Sequence, residues 1–152
     1  MQNSRTRNYL TKILIDIMFF GGIAACVTLP FMLPTLLGFI GTSVADQFRV
    51  TYTIILLSAG LCAIYILYQL KRMFKTLLGG NPFVKENVAC LRKCAVAGAL
   101  IALIFAVRLA FFFTIAASII VIIFAMLSLF CLTIKDLFKQ AVAYKEETDW
   151  TV

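Results

Sequence analysis

Two cysteines, Cys90 and Cys94, lie four residues apart and would share one face of a helix. Thiolates at such a spacing are candidates for zinc binding or redox exchange, but a zinc site needs four ligands. The chain contains no histidine, and no third or fourth ligand accompanies this pair in a metal-binding pattern. We therefore expect no metal ion and no cofactor, and we interpret both cysteines as small packing residues.

Asp16 and Arg108 are charges that fall inside long apolar runs. Ionisable residues in such positions commonly mark ion or proton paths. Counting residues at the helical rise places these two near opposite membrane faces, so we expect no pair between them. Arg108 is expected to reach outward to the headgroups or to Asp46. Asp16 is expected to meet Lys12, one turn earlier, and both charges are interpreted as structural anchors.

Catalytic patterns are missing from the sequence. The absence of histidine removes the usual general base and the usual pH switch. There are no paired aspartates of an intramembrane protease, no zinc-protease motif and no phosphate-binding loop. Ser58, Ser118 and Ser128 have no histidine to activate them. We predict that the protein is not an enzyme.

The elements that position these residues are apolar helices. The chain has 152 residues, of which 62% are hydrophobic and 14% are charged. A soluble domain usually carries nearly twice that charged share, so lipid must cover this surface. A helix needs ~20 apolar residues to cross ~30 Å of hydrocarbon. These observations predict a single all-α domain, an integral membrane four-helix bundle with helical cytosolic stems, whose spans are 13–39, 50–70, 95–113 and 117–134.

Proline and glycine mark the expected helix boundaries. Pro30 and Pro34 are expected to kink or end the first helix in its outer half. Gly79-Gly80 should end the second helix, whose stem covers residues 71–78. Asn81 is then expected to cap an amphipathic cytosolic helix, 82–94, with Pro82 at its first position.

The long apolar segment 95–134 contains one charge and must form two spans. We expect its turn near 114–118. The fourth helix is expected to continue from 135 to about Tyr144, within a cytosolic tail that covers residues 135–152. Small residues along the third span favour close packing inside the bundle over an oligomer contact, although a homo-oligomer stays possible; they are Ala95, Ala99, Ala102, Ala106 and Ala110.

The distribution of Lys and Arg predicts the orientation. Twelve of these residues flank the spans at the N-terminus, the middle stem and the C-terminal segment, whereas Arg49 alone occupies an outer loop. Positive charge is enriched on the cytoplasmic side. We therefore predict a multi-pass protein of the cell membrane with both termini in the cytosol. The net charge of +7 then suits an anionic lipid bilayer, and no direct contact with nucleic acid is expected.

The C-terminal tail carries Glu146, Glu147, Asp149 and Trp150 on an otherwise basic side. Trp150 lies too far beyond the last span to be a simple interfacial anchor. The segment is either a solvated end or a docking peptide, since exposed aromatic residues beside charges often anchor partners.

Two separated motifs resemble a family of small bacterial four-helix membrane proteins catalogued as a domain of unknown function (YoaS-like). The first motif comprises Asn81-Pro82-Phe83, Glu86-Asn87 and Leu91-Arg92. The second is the ending Ala143-x-x-Glu146-Glu147-x-Asp149-x-Thr151. The family usually ends in an aspartate, leucine, threonine, isoleucine run, from which Trp150 is a departure.

Genes of that family commonly lie beside a gene for a small Cro-like helix-turn-helix regulator. The resemblance implies a membrane-embedded regulatory protein that binds this regulator through its cytosolic stems and tail. The candidate partner-binding residues are Asn81, Pro82, Phe83, Glu86, Asn87, Arg92, Glu146, Glu147, Asp149 and Trp150. Two alternatives remain open: a protein that handles an ion or small molecule or gives immunity to a membrane-active peptide, and an accessory subunit of a larger membrane complex.

Overall fold

The computed structural model describes the backbone of residues 2–40, 45–79 and 83–150, and the side chains of residues 9–33, 35, 50–79 and 83–148. This part of the chain forms four helices, α1 (Gln2–Ile40), α2 (Ala45–Leu78), α3 (Lys85–Phe111) and α4 (Ile115–Trp150). Each contains a segment that is long and apolar enough to cross a membrane: Tyr9–Leu33, Val50–Leu78, Lys85–Phe111 and Ile115–Thr148. The prediction of an all-α, multi-pass membrane protein is confirmed.

The helices pack in chain order. α1 lies against α2, α2 against α3, and α3 against α4, and within the described residues α1 makes no close approach to α3 or α4. Consecutive helices run antiparallel, so the start of α1, the α2–α3 connection and the end of α4 lie at one end of the molecule. We call this the basic end, because it carries Lys71, Arg72, Lys75, Lys85, Arg92, Lys93, Lys135, Lys139 and Lys145.

Three helices are much longer than a bilayer is thick. α1 has 39 residues, α4 has 36 and α2 has 34, which correspond to roughly 58, 54 and 51 Å at the helical rise, against ~30 Å of hydrocarbon. The tight α3–α4 connection lies at the opposite end, where the apolar sequence continues through residues 111–115. The part of α4 in excess of one membrane span therefore lies toward the basic end.

Small residues let α3 and α4 approach closely. Ala95 and Ala102 on α3 are buried, and Gly98 lies between them against the backbone of α4. The buried Ser128 Oγ donates a hydrogen bond of 2.8 Å to the carbonyl oxygen of Ala95. Close backbone approach and interhelical hydrogen bonds are the main attractive forces between helices in lipid.

The predicted alanine stripe is only half right. Ala95 and Ala102 are buried, but Ala99 and Ala110 are exposed. Both α2 and α4 pack on α3. The face of α3 that they cover together differs from the stripe that the alanine spacing predicts. Gly98, which the sequence analysis did not include, belongs to the buried face.

α1 is held to α2 by a second close approach. A Cβ atom placed on Gly60 would lie 2.5 Å from Cys26 Sγ, and one on Gly22 would lie 3.7 Å from the side chains of Ile64 and Leu67. Gly60 therefore provides the space in which Cys26 of α1 is accommodated.

Some predicted helix boundaries are wrong. α1 continues through Pro30 and Pro34 to Ile40, so neither proline ends it. A helix in lipid tolerates proline where neighbouring groups satisfy the backbone that proline leaves free. The α3–α4 turn lies at 112–114, so it begins two residues before the predicted segment 114–118 and overlaps it at Thr114. Phe112 is extended, with φ −139° and ψ 100°. The Thr114 carbonyl accepts the Ser118 N–H at 3.1 Å, so a helical turn forms directly after Thr114.

Candidate functional site

The α2–α3 connection at the basic end begins as predicted and ends differently. α2 ends at Leu78, and the Gly79 N–H donates to the Lys75 carbonyl at 3.2 Å, so the predicted glycine stop is confirmed at Gly79. α3 begins at Lys85, with Val84 as an extended N-cap residue (φ −127°, ψ 148°). The helix expected over 82–94 therefore starts three residues late.

The physical reason lies in the residues around the true start. The β-branched Val84 fits an extended backbone, and Glu86 places an acid in the first turn, where the helix dipole favours it. Asn81 is thus not the N-cap of α3, and Pro82 is not its first residue. Both residues otherwise lie outside the described part of the chain.

Asn87 joins α3 to α2. Its side chain is 2% exposed, and its Oδ1 accepts a hydrogen bond of 2.7 Å from Thr76 Oγ1. Beside it, Arg72 and Glu86 form an ion pair at 3.7 Å. A buried amide needs partners because leaving it unpaired costs about 1–3 kcal/mol. Asn87 therefore holds the α2 stem against the start of α3, and the more exposed Arg72–Glu86 pair lies beside this contact.

Phe83 and Lys85 join the start of α3 to α4. The rings of Phe83 and Phe138 lie 5.5 Å apart, within the range of favourable aromatic pairs. Lys85 Nζ lies 2.7 Å from Glu146 Oε1. The contacts from residues 83–87 thus link the extensions of α2 and α4, and we call these three linked segments (71–79, 83–93 and 135–148) the platform.

The structure places the remaining candidate partner residues around this platform. Arg92 and Glu147 are exposed. α4 continues to Trp150, so the expected end near Tyr144 is wrong. Residues 135–150 contain no proline or glycine, and an established helix extends easily through such a sequence. The side chains of Asp149 and Trp150 lie outside the described residues.

The intramembrane charges have partners that the sequence analysis missed. Asp16 Oδ1 lies 2.8 Å from Lys71 Nζ of α2, so the expected pair with Lys12 is wrong. Lys71 Nζ also lies 5.4 and 5.5 Å from the ring centroids of Phe19 and Phe20. Lys71 belongs to α2, whereas Asp16 belongs to α1. The antiparallel packing of these two helices brings the two side chains to the same depth.

Arg108 contacts the first turns of α2. Its guanidinium carbon lies 4.9 Å from the ring centroid of Tyr52, and its Nη2 donates a hydrogen bond of 3.3 Å to the Tyr52 hydroxyl. A cation over an aromatic face is stabilised further when it is desolvated. The side chain of Asp46, the partner considered from sequence, lies outside the described residues.

Cys90 and Cys94 are buried on the inner face of α3. Cys90 and Cys94 are 3% and 2% exposed, and Cys94 shares a buried cluster with Ala95 and Cys131. Within the described residues, no three His, Cys, Asp or Glu side chains form a group that could hold a metal ion.

Gln69 is a buried polar residue that the sequence analysis did not single out. Its side chain is 2% exposed, and its Oε1 has no hydrogen-bond partner among the described residues. Replacing Gln69 with leucine is expected to stabilise the protein by about 1–2 kcal/mol. Leucine fills a similar volume and removes a buried acceptor that has no hydrogen-bond partner among the described residues. Reversible unfolding in mixed detergent would measure this change. A loss of stability would show that Gln69 makes a polar contact outside the described residues.

Comparison with protein families gives a match. The family model described as "Protein of unknown function (DUF2975)" matches residues 41–152, which include α2, α3, α4 and the whole platform. Comparisons with curated proteins and with solved structures found no match. The match covers more than half of the chain, and the chain therefore belongs to this family of unknown function.

Proposed function

We propose that the protein is a membrane anchor that binds a small helix-turn-helix transcription regulator at its platform. In this proposal the basic end lies in the cytosol, in keeping with the excess of Lys and Arg there. The protein acts by binding and carries out no catalysis. The resemblance of its two sequence motifs to proteins encoded beside such regulators supplies the class of partner.

The observation that carries the proposal is the cross-linked platform. Residues of the first motif contact both neighbours: Asn87 and Glu86 contact α2, and Phe83 contacts α4. Glu146 of the second motif pairs with Lys85 beside the first motif. The Asn87–Thr76 hydrogen bond and the Phe83–Phe138 ring contact fix the three segments as one surface, which lowers the ordering cost of binding.

The charges on the platform suit a DNA-binding partner. A helix-turn-helix protein presents a basic face to DNA phosphates, and Glu146 and Glu147 offer acidic groups on the exposed surface of α4. The Lys85 and Glu146 side chains are 77% and 53% exposed. An ion pair this open contributes little stability, so a basic partner competes for Glu146 at small cost.

The alternative of ion or small-molecule handling depends on Asp16 and Arg108. Asp16 is paired with Lys71, and Arg108 is stacked on Tyr52. These contacts support structural anchoring, since both charges already have partners between adjacent helices.

The first test is purification from native membranes in mild detergent, with bound proteins identified by mass spectrometry. We expect a small helix-turn-helix protein in stoichiometric amount. Recovery of other membrane subunits would support the accessory-subunit alternative. Recovery of the chain alone would contradict the regulator proposal.

The acidic tail gives a sharper test. Changing Glu146→Gln, Glu147→Gln and Asp149→Asn together is expected to weaken regulator binding about tenfold, since three charges at roughly 0.5 kcal/mol each amount to one power of ten. Binding would be measured by titrating the regulator against the immobilised protein. Lys85→Met is the matched control, because it breaks the same ion pair but keeps the acids. Equal loss in both variants would show that the ion pair, and not the acids, matters.

A further inference from the structure

A groove between α2 and α3 combines apolar walls with a basic mouth. Its volume is about 700 Å³, within the usual range of ligand sites. Leu61 and Tyr65 form the α2 wall, and Val96 and Leu100 belong to the α3 wall. This apolar part lies in the spanning segments of both helices. An occupant of this part must therefore be apolar.

The basic mouth lies on the same face of α3. Lys85, Arg92 and Lys93 line the groove at the basic end. From Lys85 to Leu100 the groove follows α3 for roughly 22 Å at the helical rise. The groove therefore runs from the platform into the apolar spans. A lipid in one leaflet has the same orientation, with its headgroup at the surface and its acyl chains in the apolar core.

Two of these cations have no acidic partner in the part of the chain that the structure describes. Lys85 is paired with Glu146, whereas Arg92 and Lys93 form no ion pair with any other described residue. Both are exposed next to buried apolar residues. An anion seated between them would gain charge-assisted hydrogen bonds without displacing an existing pair.

We propose that this groove binds an anionic phospholipid. The phosphate contacts Arg92 and Lys93, with Lys85 at the edge, and one acyl chain lies along Leu61, Tyr65, Val96 and Leu100. Basic pockets between membrane helices recognise anionic headgroups in this way. A free anion would use the mouth alone and leave the apolar walls empty, so the combination favours a lipid.

Native mass spectrometry of the purified full chain would test the proposal. The probes are phosphatidylglycerol and phosphatidylcholine with identical acyl chains, and inorganic phosphate as a competitor. We expect one phosphatidylglycerol to bind in preference to phosphatidylcholine. The double variant Arg92→Gln/Lys93→Gln should weaken phosphatidylglycerol binding about twenty-fivefold, because each cation near anionic lipid contributes a factor of about five.

Two further variants separate charge from shape. Lys75→Gln/Lys139→Gln removes the same net charge outside the groove, and its affinity should stay within about twofold of the unchanged protein. Val96→Trp fills the apolar part without changing charge; Val96 is 54% exposed, so the variant is expected to fold. This variant should weaken phosphatidylglycerol binding about tenfold, since a bulky ring occupies the acyl-chain position.

Three results would overturn the proposal. Equal binding of the two lipids would mean non-selective lipid contact around the helices. Equal losses in the groove pair and the Lys75/Lys139 pair would mean a general charge effect. Unchanged binding in the Val96 variant, together with displacement of the lipid by inorganic phosphate, would mean that the mouth binds a bare anion. These outcomes do not depend on the regulator, so they are distinguishable from failure of the proposed function.

Discussion

Replacing Gly98 with leucine is expected to separate α3 from α4 and to lower the free energy of unfolding by about 2–3 kcal/mol or more. A Cβ atom at this position would already lie 3.6 Å from the Phe124 carbonyl oxygen and 3.7 Å from Ser128 Cβ. The remaining atoms of leucine would then meet the backbone of α4. The displacement would also break the 2.8 Å hydrogen bond from Ser128 to Ala95.

Two other glycine variants provide controls for this prediction. Gly98→Ala should be tolerated, because 3.6 Å is an ordinary contact distance for a methyl group. Gly21→Leu should have little effect, because a Cβ atom at Gly21 meets nothing within 4 Å. Reversible unfolding in mixed detergent would compare all three. Equal stabilities for Gly98→Leu and Gly21→Leu would show that the α3–α4 interface is not formed as described.

Replacing Lys71 with leucine is expected to lower stability by about 2–3 kcal/mol, because it leaves the Asp16 carboxylate facing apolar surroundings. Asp16→Asn should cost less, because the long Lys71 side chain reaches the headgroup region by itself. The double variant Asp16→Asn/Lys71→Leu should regain most of the stability lost in Lys71→Leu. These differences follow from the 2.8 Å contact between the two side chains.

A double-mutant cycle measures this coupling directly. The four proteins would be unfolded under the same detergent conditions, and their free energies compared. Additive effects would contradict the Asp16–Lys71 pair. Lys12→Leu serves as the matched control, since it removes a cation from α1 one turn from Asp16, and we expect it to change stability by less than about 1 kcal/mol.

Hydropathy identified the four spanning helices because each apolar run is long enough to cross the bilayer. Their ends were harder to place. The turn at 112–114 lies among phenylalanines and threonine, which carry no strong turn signal. The start of α3 depends on Val84 and Glu86, whereas Asn81-Pro82 offered an equally good local signal three residues earlier. Local preferences of similar strength compete there, and packing decides between them.

The polar contacts of the site could be predicted only in part. The motif around Phe83, Glu86 and Asn87 was recognised, but its contacts with α2 and α4 depend on how these helices approach one another. The partners Lys71 and Tyr52 are each more than fifty residues from the charges they contact. The groove is likewise a product of the relative rotation of α2 and α3, which no single helix pattern encodes.

The packing of each helix against its chain neighbour has a consequence for how the protein is made. Each helix that enters the bilayer during synthesis finds its packing partner already there. α2 packs on α1, α3 packs on α2, and α4 packs on α3. Contacts between neighbours in sequence form with little loss of chain entropy. Assembly can therefore follow synthesis. Each helix can bury its interface with the preceding helix as soon as it is inserted.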